Sequence, residues 1–372
     1  MLKITVWGTG IRANNFIKML VSRYSCVAEI VAVTSNEKID EGRVTVGNDL
    51  YTFVSPNRLS EVEFDLCFIC SSASEEIIEQ IRDNDLIDIQ KVYNETDAWP
   101  LLLKHKFLYY YKDDQELKQN GIYQYVEEHG LTMYPYSWFD KLQDEIKEVY
   151  EEDGYKYIFY KGKKCFYPKE YSTDEVLNSA NFFIKEQQLM SPHCYMPNDE
   201  WKIRGGVVVD CGSAEANFTL DVIDDVDKIY VVEGDPMWWK PLEKTFKDYN
   251  GKVKIIKKYL DSYRHEGYDT IDSFVVEDKI DFIKMDIEGY ELKALYGARE
   301  HIKKSDDLKL SVCTYHNHED HETIKIYLES LGCECTYSNG YLFRMDESIW
   351  TGLFPEIRKG MLYGKRVSKN DI

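Results

Sequence analysis

The sequence predicts an α/β protein that contains two domains with parallel sheets. Its 372 residues suit two domains of ~100–200 residues each. Near both ends of the chain, short apolar segments alternate with segments in which apolar residues recur every three or four positions. Strands that alternate with helices in this way are typical of parallel sheets with right-handed crossovers. We expect an N-terminal domain over residues 1–125, a connecting region over 126–200, and a C-terminal domain with a tail over 201–372.

Composition excludes several classes of protein and several classes of binding partner. Acidic residues outnumber basic ones by 66 to 46, and the resulting formal charge of −20 would repel nucleic acids and anionic lipids. No run of about 18 apolar residues is present, so we expect no membrane span. The first residues lack the features of a signal peptide, and nine scattered cysteines do not form a disulfide scaffold. We therefore expect a cytoplasmic globular protein that binds no nucleic acid.

The N-terminal domain begins with a strand and a glycine turn. Residues 3–7 alternate as a strand, and Gly8-Thr9-Gly10 then interrupts it. From Ala13 onward, apolar residues recur at the spacing of one helix face. Similar patterns predict a helix over 75–81 and three further strands, over 28–33, 64–70 and 87–93.

The glycine turn has two interpretations. The segment from Gly8 to Ala13 fits the G-x-G-x-x-G/A fingerprint between a strand and a helix, which makes Gly8 and Gly10 candidate nucleotide-binding residues. However, the second strand ends near Asn36, where an NAD site usually carries a carboxylate. The alternative is that the glycines only let the helix pack close to the sheet. A nicotinamide-dependent oxidoreductase that uses this turn is our second functional hypothesis.

The connecting region contains three predicted features. The pattern of residues 138–150 predicts an amphipathic helix, and residues 155–160 and 163–167 read as two strands around a glycine turn. Ser172 and Glu175 form a capping-box pattern, which predicts a helix from there to about residue 188.

In the C-terminal domain, acidic residues follow the predicted strands. The strand at 207–209 is followed by Asp210, Cys211 and Gly212, and the strand at 228–232 by Glu233. Further strands are predicted at 253–256, 280–285 and 308–314. Ligands of open parallel sheets lie beyond the carboxyl ends of the strands. Asp210 and Gly212 could therefore hold a cationic cofactor, and Glu233 could accept both hydroxyls of an adenosine ribose.

Two features distinguish this domain from a dinucleotide-binding one. The segment after residue 209 has one glycine where the dinucleotide fingerprint needs three. Residues 333–337 and 341–345 flank Ser338-Asn339-Gly340, and Asn-Gly is a strong hairpin signal. We predict two Rossmann-like domains, the C-terminal one with a methyltransferase-type sheet that ends in an antiparallel hairpin. This layout is expected of methyltransferases that use S-adenosylmethionine.

Three segments resemble the FkbM-type methyltransferases. They are Val208–Phe218, Val232–Pro236 and, most specific, Asp281–Glu291 with the sequence DFIKMDIEGYE. Ile271–Phe274 and Ala294–Ala298 also match, and the segments at 186–187 and 191–195 resemble one branch of the family. The resemblance covers about residues 150–345. One departure is Ala216, where relatives often carry glycine.

The resemblance implies a cofactor, a reaction and a set of site residues. It implies that S-adenosylmethionine is bound by Asp210, Gly212, Ser213, Glu215 and Glu233, and it makes Asn217, His193 and Tyr195 further candidates. It also implies O-methylation of a small-molecule or carbohydrate hydroxyl. The extra N-terminal domain resembles arrangements found in bacterial surface-polysaccharide proteins. A homo-oligomer is compatible with the sequence, and a non-catalytic glycan-assembly module is the third hypothesis.

The candidate catalytic residues follow two predicted strands of this domain. We expect His316 or Asp286 to act as the base that activates the acceptor hydroxyl, with Glu288 orienting the acceptor. The alternative for both carboxylates is a structural turn at the start of a helix. His316, His318 and His321 could bind a metal, but they also suit a polar loop, and we expect no metal. Lys284 is expected to pair with a neighbouring acid rather than to act on substrate.

Overall fold

The computed structural model describes residues 1–37, 39–40, 42–249, 251–344 and 356–366. These residues form two compact units, Met1–Tyr136 and Ser137–Arg344, and the second unit continues at Ile357. The expected connecting region, 126–200, therefore falls on both sides of the division. The C-terminal tail beyond residue 366 lies outside the described residues. Within the described ranges, no helix is both long enough and apolar enough to cross a membrane.

The first unit contains a six-stranded sheet, and three of its strands lie where the sequence predicts them, whereas the strand predicted over 87–93 begins only at Val92, after a 3₁₀ turn at Ile89–Lys91. The strands are β1 (Leu2–Trp7), β2 (Ala28–Thr34), β3 (Gly42–Val46), β4 (Asp49–Phe53), β5 (Leu66–Ile69) and β6 (Val92–Asn94). Their order is β3-β4-β2-β1-β5-β6, and β1 runs parallel to β2 and β5. The antiparallel pair β3 and β4 at the edge is an addition that the sequence analysis missed.

The helices of the first unit include the two that the sequence predicts. They are α1 (Ile11–Tyr24), α2 (Ser74–Asp83), α3 (Ala98–Tyr110), α4 (Gln115–Gln119) and α5 (Ile122–His129), with 3₁₀ turns at Pro56–Glu61, Ile89–Lys91 and Glu95–Asp97. Helix α1 buries Ala13, Phe16, Ile17 and Leu20, which are the residues of its predicted apolar face. They pack in one core with Ile4 of β1.

The second unit begins with a small antiparallel sheet and a long helix. Its first elements are α6 (Ser137–Asp140), β7 (Tyr150–Glu152), β8 (Tyr155–Tyr160), β9 (Lys163–Phe166) and α7 (Thr173–Glu186). The capping box of α7 is formed as predicted, because the Ser172 side chain accepts from the backbone of Glu175 and the Glu175 side chain accepts from that of Ser172.

The main sheet of the second unit has seven strands. The remaining strands are β10 (Val207–Cys211), β11 (Lys228–Val232), β12 (Val253–Ile256), β13 (Tyr259–Leu260), β14 (Tyr268–Asp269), β15 (Phe282–Met285), β16 (Lys309–Cys313), β17 (Cys333–Tyr337), β18 (Leu342–Phe343), β19 (Ile357–Arg358) and β20 (Met361–Arg366). The order of the main sheet is β12-β11-β10-β15-β16-β20-β17. β20 runs antiparallel to both of its neighbours, β16 and β17, and the other neighbouring strands of this sheet are parallel to each other. The predicted α/β class, with two Rossmann-like sheets, is confirmed.

Helices cover this sheet and separate its parallel strands along the chain. They are α8 (Asn217–Val222), α9 (Pro236–Thr245), α10 (Ile271–Phe274), α11 (Glu291–Tyr296), α12 (Arg299–Lys304) and α13 (Asp320–Ser330), with 3₁₀ turns at Asp199–Trp201 and Lys247–Tyr249. From β10 the chain builds toward β12 on one side, and it then crosses back to β15 on the other side. The switch point of the sheet therefore lies between β10 and β15, where ligands of open α/β sheets bind.

The predicted helix over residues 138–150 is wrong. Helix α6 ends at Asp140, and Tyr150 already belongs to β7. The cause is the buried Asn181 of α7, whose side-chain oxygen accepts the backbone N–H groups of Glu145 (2.8 Å) and Ile146 (2.9 Å). Its amide nitrogen donates to the carbonyl of Ile146. These bonds satisfy backbone groups of a segment without regular secondary structure and replace bonds that a helix would make.

The predicted hairpin partner of β17 is also wrong, although the antiparallel closure of the sheet is correct. β17 pairs with β20, whereas Leu342 and Phe343 pair with β19. β20 is six residues long and its first four residues are buried, which suits a strand enclosed between β16 and β17. Leu342 and Phe343 are both fully buried, so this segment lacks the alternation of an exposed hairpin arm. Met345, the predicted end of that arm, lies outside the described residues.

We predict that Asn181→Ala destabilises the second unit. The substitution leaves two backbone N–H groups without their partner, which should cost about 1–3 kcal/mol of the free energy of unfolding. Urea denaturation followed by circular dichroism measures this change. Asn178→Ala on the same helix is the matched control, because Asn178 is exposed and should change stability by less than about 0.5 kcal/mol. Equal stability of the two variants would contradict the role given to Asn181.

Candidate functional site

A cavity of about 590 Å³ opens at the carboxyl edge of the main sheet in the second unit. This volume falls within the range of small-molecule sites, ~300–1,000 Å³. Its wall includes residues from the ends of β10, β11 and β15. The predicted site residues that line it are Tyr195, Gly212, Ser213, Glu215, Asn217, Glu233, Asp286 and Glu288.

The turn after β10 is tightly wound and packs against the end of β15. Gly212 has a φ of 75°, and a Cβ atom placed on it would lie 1.8 Å from the carbonyl oxygen of Asp286. Ala214 and Ala216 also have positive φ values, of 37° and 65°. Glycine is therefore required at position 212, both for its backbone conformation and for the close approach of Asp286.

A buried ion pair packs against this turn and stabilises it. The Lys284 ammonium lies 3.2 Å from Oδ1 of Asp210 and donates to the carbonyl oxygen of Gly212 at 2.6 Å. The Thr219 hydroxyl donates to Oδ2 of Asp210 at 2.6 Å. Burial lowers the pKa of Lys284, but Asp210 and Asp286 raise it more, so that the net shift is upward and the amine stays charged.

The position of Asp210 corrects one expectation. Its side chain is fully buried, faces Lys284 and Thr219, and does not line the cavity. The Asp210 carboxylate is therefore not placed for direct contact with a cofactor in the cavity, because Lys284 lies between the two. The expected pairing of Lys284 with an acid is confirmed.

Glu233 is fixed at the rim of the cavity by two backbone groups. Its carboxylate accepts the N–H groups of Ala214 at 2.9 Å and Asp235 at 2.8 Å. Burial raises its pKa. Each carboxylate oxygen can accept more than one hydrogen bond, so both can still receive a pair of neighbouring hydroxyl groups.

Three further predicted residues present polar atoms at the cavity wall. Glu215 accepts a hydrogen bond from the Ser179 hydroxyl at 2.5 Å, and burial raises its pKa. Among the described residues, Oγ of Ser213 and Nδ2 of Asn217 are buried and have no hydrogen-bond partner. Buried polar atoms without partners are rare and call for a specific explanation. A polar ligand in this cavity would supply the missing partners.

Asp286 is the centre of a second polar cluster at the cavity wall. The Tyr195 hydroxyl donates to its Oδ2 at 2.8 Å, and Nε2 of His193 lies 3.4 Å from the same oxygen. Nε2 of His316 lies 3.4 Å from the other oxygen, Oδ1. Burial raises the pKa of Asp286, but His193, His316 and Lys284 lower it more, and the net shift is strongly downward. These cationic neighbours therefore favour the carboxylate form of Asp286.

His316 is buried among three carboxylates. Its Nδ1 lies 2.7 Å from Glu291, which is fully buried, and its Nε2 lies 3.5 Å from Glu288. Burial lowers the pKa of His316, but Glu291, Asp286 and Glu288 raise it above its usual value. Glu288 is mostly exposed and has a φ of 55°, so it stands at the mouth of the cavity on a strained turn. The structure thus brings His316, Asp286 and Glu288 together.

The position of His193 differs from the expectation of a cofactor contact. Its ring is buried behind the cavity wall, between Glu186 and Asp286, and only its two acidic neighbours line the cavity. The sequence analysis missed Glu186 and Glu291 as site residues. Glu291 could have been found, because it lies in the most specific motif and on the helix that follows Asp286.

Two groups of side chains could hold a metal ion. They are His193, Asp286 and Cys313, and Asp286, Glu291 and His316, and within each group the ligand atoms lie within 4.8 Å of one another. His318 and His321 belong to neither group. In both groups the imidazole already has a carboxylate beside it, which is Asp286 for His193 and Glu291 for His316.

In the first unit, the glycine turn after β1 is explained in part by packing. Gly8 has a φ of 142°, and a Cβ atom placed on it would lie 2.7 Å from the carbonyl oxygen of Cys70. No atom lies within 4 Å of the corresponding position at Gly10, so that side of the turn is open. The Thr9 hydroxyl donates to Glu37 at 2.9 Å. Nucleotide binding by Gly8 and Gly10 stays a prediction.

Comparison with known proteins yields two family models. The model described as the methyltransferase FkbM domain matches residues 269–338, and the model described as C2185-like, N-terminal, matches residues 1–93. The first match lies within the second unit and runs from β14 to the residue after β17. It confirms the predicted resemblance of this segment to the FkbM-type methyltransferases. No curated protein matches the sequence.

Solved structures that the chain matches include two methyltransferases. One is a precorrin-6y C5,15-methyltransferase from Geobacter metallireducens, at 10% identity, which covers 55% of this chain and 94% of that chain with a TM-score of 0.34. Another is an rRNA methylase from Streptococcus thermophilus, at 10% identity, which covers 44% of this chain and 88% of that chain with a TM-score of 0.32.

We predict that Lys284→Met destabilises the protein far more than an ordinary surface substitution does. It leaves the Asp210 carboxylate buried without its cation, which should cost about 3–5 kcal/mol. The double variant Asp210→Asn with Lys284→Met removes both charges, and it should recover part of that loss in urea denaturation. Lys258→Met, at an exposed lysine of the same cavity, is the control and should cost less than about 0.5 kcal/mol. A double variant no more stable than Lys284→Met would contradict the ion-pair argument.

Proposed function

We propose that the second unit transfers a methyl group from S-adenosylmethionine to a hydroxyl oxygen of a carbohydrate or a secondary metabolite, in the setting of surface-polysaccharide synthesis. One observation carries the proposal. A cavity at the switch point of a methyltransferase-type sheet is lined by Glu233, two unpartnered polar side chains and Asp286, and the buried His316 lies behind its wall, 3.4 Å from Asp286. The carbohydrate acceptor rests on the FkbM-type resemblance, and the polysaccharide setting rests on the presence of the N-terminal domain ahead of it.

The residues around the cavity fit a cationic cofactor that carries a ribose. Glu233 would receive the two ribose hydroxyls, and Ser213 and Asn217 would bond to polar groups of the cofactor. Acidic side chains such as Glu186, Glu215 and Asp286 line the same space and would attract a positive charge. Asp210 and Lys284 would contribute indirectly, because their ion pair fixes the Gly212 turn. When bound, the cofactor supplies an electrophilic methyl group on a sulfonium.

His316 is the residue that best fits the role of general base. Glu291 orients its ring through Nδ1, and Nε2 faces Asp286 and Glu288 at the cavity wall. After accepting a proton, the imidazolium would lie beside three carboxylates, which stabilise its charge. Asp286 is a poor candidate for the base, because its lowered pKa makes it a weak acceptor of protons. A positioned base typically contributes ~10²–10⁴ in rate.

Glu288 and the cavity walls would position the acceptor. A methyl transfer of this kind is an in-line displacement, so the acceptor oxygen must approach to ~3–3.5 Å on the side opposite the sulfur. Glu288 is exposed at the mouth of the cavity, and its carboxylate can accept hydrogen bonds from acceptor hydroxyls. Its second role would be to stabilise the His316 imidazolium.

Calorimetry with S-adenosylmethionine tests the cofactor site. We expect binding by the wild-type chain and a ~10–100-fold loss of affinity in Glu233→Ala, because two hydrogen bonds to a charged group disappear. Glu277→Ala is the matched control, since Glu277 is exposed and lies outside the cavity wall. Binding of NAD in place of S-adenosylmethionine would support the oxidoreductase hypothesis instead. Binding of neither would support the non-catalytic module.

The acceptor is tested by the formation of S-adenosylhomocysteine. The wild-type chain is incubated with S-adenosylmethionine and a panel of neutral sugars, oligosaccharides and hydroxylated metabolites. We expect product that depends on an added acceptor. If the cofactor binds but no hydroxyl compound increases product formation, O-methylation is refuted.

The pH dependence of turnover tests His316. Only the neutral imidazole accepts a proton, so kcat/KM should fall as the pH drops through the raised pKa of His316. Glu291→Gln keeps the shape of the side chain but removes a cause of the raised pKa. The acidic limb should therefore move to lower pH by about one unit, and the maximal rate should fall. Glu277→Gln should leave the profile unchanged, and an unmoved limb in Glu291→Gln would exclude His316 as the base.

A further inference from the structure

An aromatic patch lies on the second unit beside the cavity. Its members are linked by ring-to-ring contacts, and they are Tyr259, Tyr263, His265, Tyr268 and Tyr290. The ring centroid of Tyr268 is 5.4 Å from that of Tyr259 and 4.2 Å from that of His265. Tyr290 lies 6.5 Å from Tyr268, and Tyr263 lies 4.9 Å from His265. The proposed reaction uses none of these rings.

The aromatic patch is exposed, and it is continuous with the cavity. Tyr259, Tyr268 and Tyr290 line the cavity, and Tyr263 lies outside its wall. The exposed fraction is 47% for Tyr259, 41% for Tyr290 and 63% for Tyr263. Large contiguous apolar surfaces are uncommon on globular proteins, and where they occur they mark binding surfaces. The patch therefore extends the wall of the cavity onto the surface of the unit.

Hydrogen bonds within the segment 259–269 hold its rings in place. The backbone N–H of Tyr259 donates to the carbonyl of Gly267 at 3.1 Å. The backbone N–H of Tyr268 donates to the carbonyl of His265 at 3.0 Å. Nε2 of His265 lies 3.1 Å from the buried carboxylate of Asp261. A surface whose side chains are already ordered loses less conformational entropy when a ligand binds to it.

We propose that the aromatic patch binds the acceptor, and that the acceptor is an oligosaccharide whose successive sugar units pack along the patch. This inference rests on the proposed methyl transfer to a hydroxyl oxygen. The unit that receives the methyl group would enter the cavity beside Tyr290 and Glu288, and further units would lie toward Tyr263. A free monosaccharide would cover little more than a single ring, and it would leave most of the patch unused.

The chemistry of the patch fits a sugar chain. A pyranose ring presents C–H groups on its faces, which pack on aromatic rings, and hydroxyl groups around its rim, which need hydrogen-bond partners. Each tyrosine of the patch carries a hydroxyl that can both donate and accept. Two exposed carboxylates can also accept these bonds, because Glu266 follows His265 and Glu288 stands two residues before Tyr290.

The charges of the patch favour a neutral chain over a nucleic acid. Bases of single strands also stack on aromatic rings, but their binding needs cationic side chains along the phosphate backbone. The segment 259–269 carries four of the five rings, and it contains three acidic residues and one basic residue, Arg264. Nε of Arg264 already lies 3.3 Å from Asp269. A polyanion would therefore meet more negative than positive charge along this segment.

Tyr259 marks the boundary between the patch and the proposed cofactor site. Its ring packs directly on Gly234, where an added Cβ atom would lie 2.1 Å from the ring. Gly234 follows Glu233, which would bind the cofactor ribose. Tyr263, at the other end of the patch, is the ring best suited to test acceptor binding, because a change there leaves the cofactor site intact.

The first test measures sugar binding without any turnover. The fluorescently labelled full chain is applied to an array of immobilised neutral glycans that range from monosaccharides to longer oligosaccharides. We expect binding to at least one series of glycans, and binding that strengthens as the chain lengthens. Tyr263→Ala should weaken the binding of the longer members by about three- to ten-fold. An array without any bound glycan, or equal binding by wild type and Tyr263→Ala, would overturn the proposal.

Two further variants show whether the ring itself is responsible. Tyr263→Phe keeps the aromatic face and should bind the same glycans to within about two-fold of wild type. Tyr296→Ala is the matched control, because Tyr296 is 46% exposed on the same unit and lies outside both the patch and the cavity wall. It should leave glycan binding unchanged, and a loss equal to that of Tyr263→Ala would count against the patch.

The second test compares acceptors of different length in the formation of S-adenosylhomocysteine. It uses a glycan that binds on the array and the monosaccharide from which that glycan is built. Tyr263→Ala should raise KM for the oligosaccharide by about three- to ten-fold and leave KM for the monosaccharide unchanged, because Tyr263 would contact only the further units. An equal rise for both acceptors indicates a structural role, and a rise in KM for S-adenosylmethionine indicates a cofactor-binding role. Either result would overturn the proposal.

The two tests distinguish failure of the proposed function from failure of this inference. If glycans bind through Tyr263 but none is methylated, the proposed function fails, and the patch remains a glycan-binding surface. If methylation occurs with equal efficiency for short and long acceptors and Tyr263→Ala changes neither, the inference about the patch fails alone. Circular dichroism of Tyr263→Ala and Tyr296→Ala establishes that both variants are folded before either result is interpreted.

Discussion

The buried ion pair between Asp210 and Lys284 is the constraint on which the site depends. These residues lie opposite each other on β10 and β15, the two strands that flank the switch point of the sheet. A buried pair of this kind is stable only when each charge also has other partners. Here the Thr219 hydroxyl bonds to Asp210, and the carbonyl of Gly212 bonds to Lys284. The ion pair therefore ties the glycine turn to both strands, and the turn forms the floor of the cavity.

The same lysine connects the floor of the cavity to the histidine–carboxylate cluster. Lys284 contributes to the lowered pKa of Asp286 as well as pairing with Asp210, so one buried cation supports two carboxylates on two strands. The wall of the cavity carries several acidic side chains, among them Glu233 and Asp286. Such a wall favours a ligand that carries a positive charge.

Local patterns in the sequence predict the strands and the residues at their ends, and tertiary contacts decide what those residues do. The positions of β10, β11 and β15 follow from short apolar runs, and Glu233 at the cavity rim follows from its place after β11. By contrast, the sequence predicts only that Lys284 pairs with some neighbouring acid, and the pairing of β10 with β15 is what identifies that acid as Asp210. Likewise, Asn181 suppresses a helix that the pattern of residues 138–150 favours, and β20 replaces the nearer hairpin arm. Pairings between residues far apart in the chain leave no local signal.

A glycine after a strand is an incomplete indication of a ligand site, as the two units show. Gly8 and Gly212 both follow a strand, and in both cases a Cβ atom would collide with a carbonyl oxygen, that of Cys70 or of Asp286. Close packing therefore explains both glycines equally well. The cavity makes the difference. Beside Gly8, Nε1 of Trp7 and Oγ1 of Thr34 are also buried without a partner among the described residues, while the Thr9 hydroxyl of the turn bonds to Glu37. In the second unit, Oγ of Ser213 and Nδ2 of Asn217 have no partner among the described residues, and both residues line the cavity of about 590 Å³. Polar atoms without hydrogen-bond partners at a cavity wall favour the binding of a ligand, because within the protein alone nothing compensates the free-energy cost of burying them.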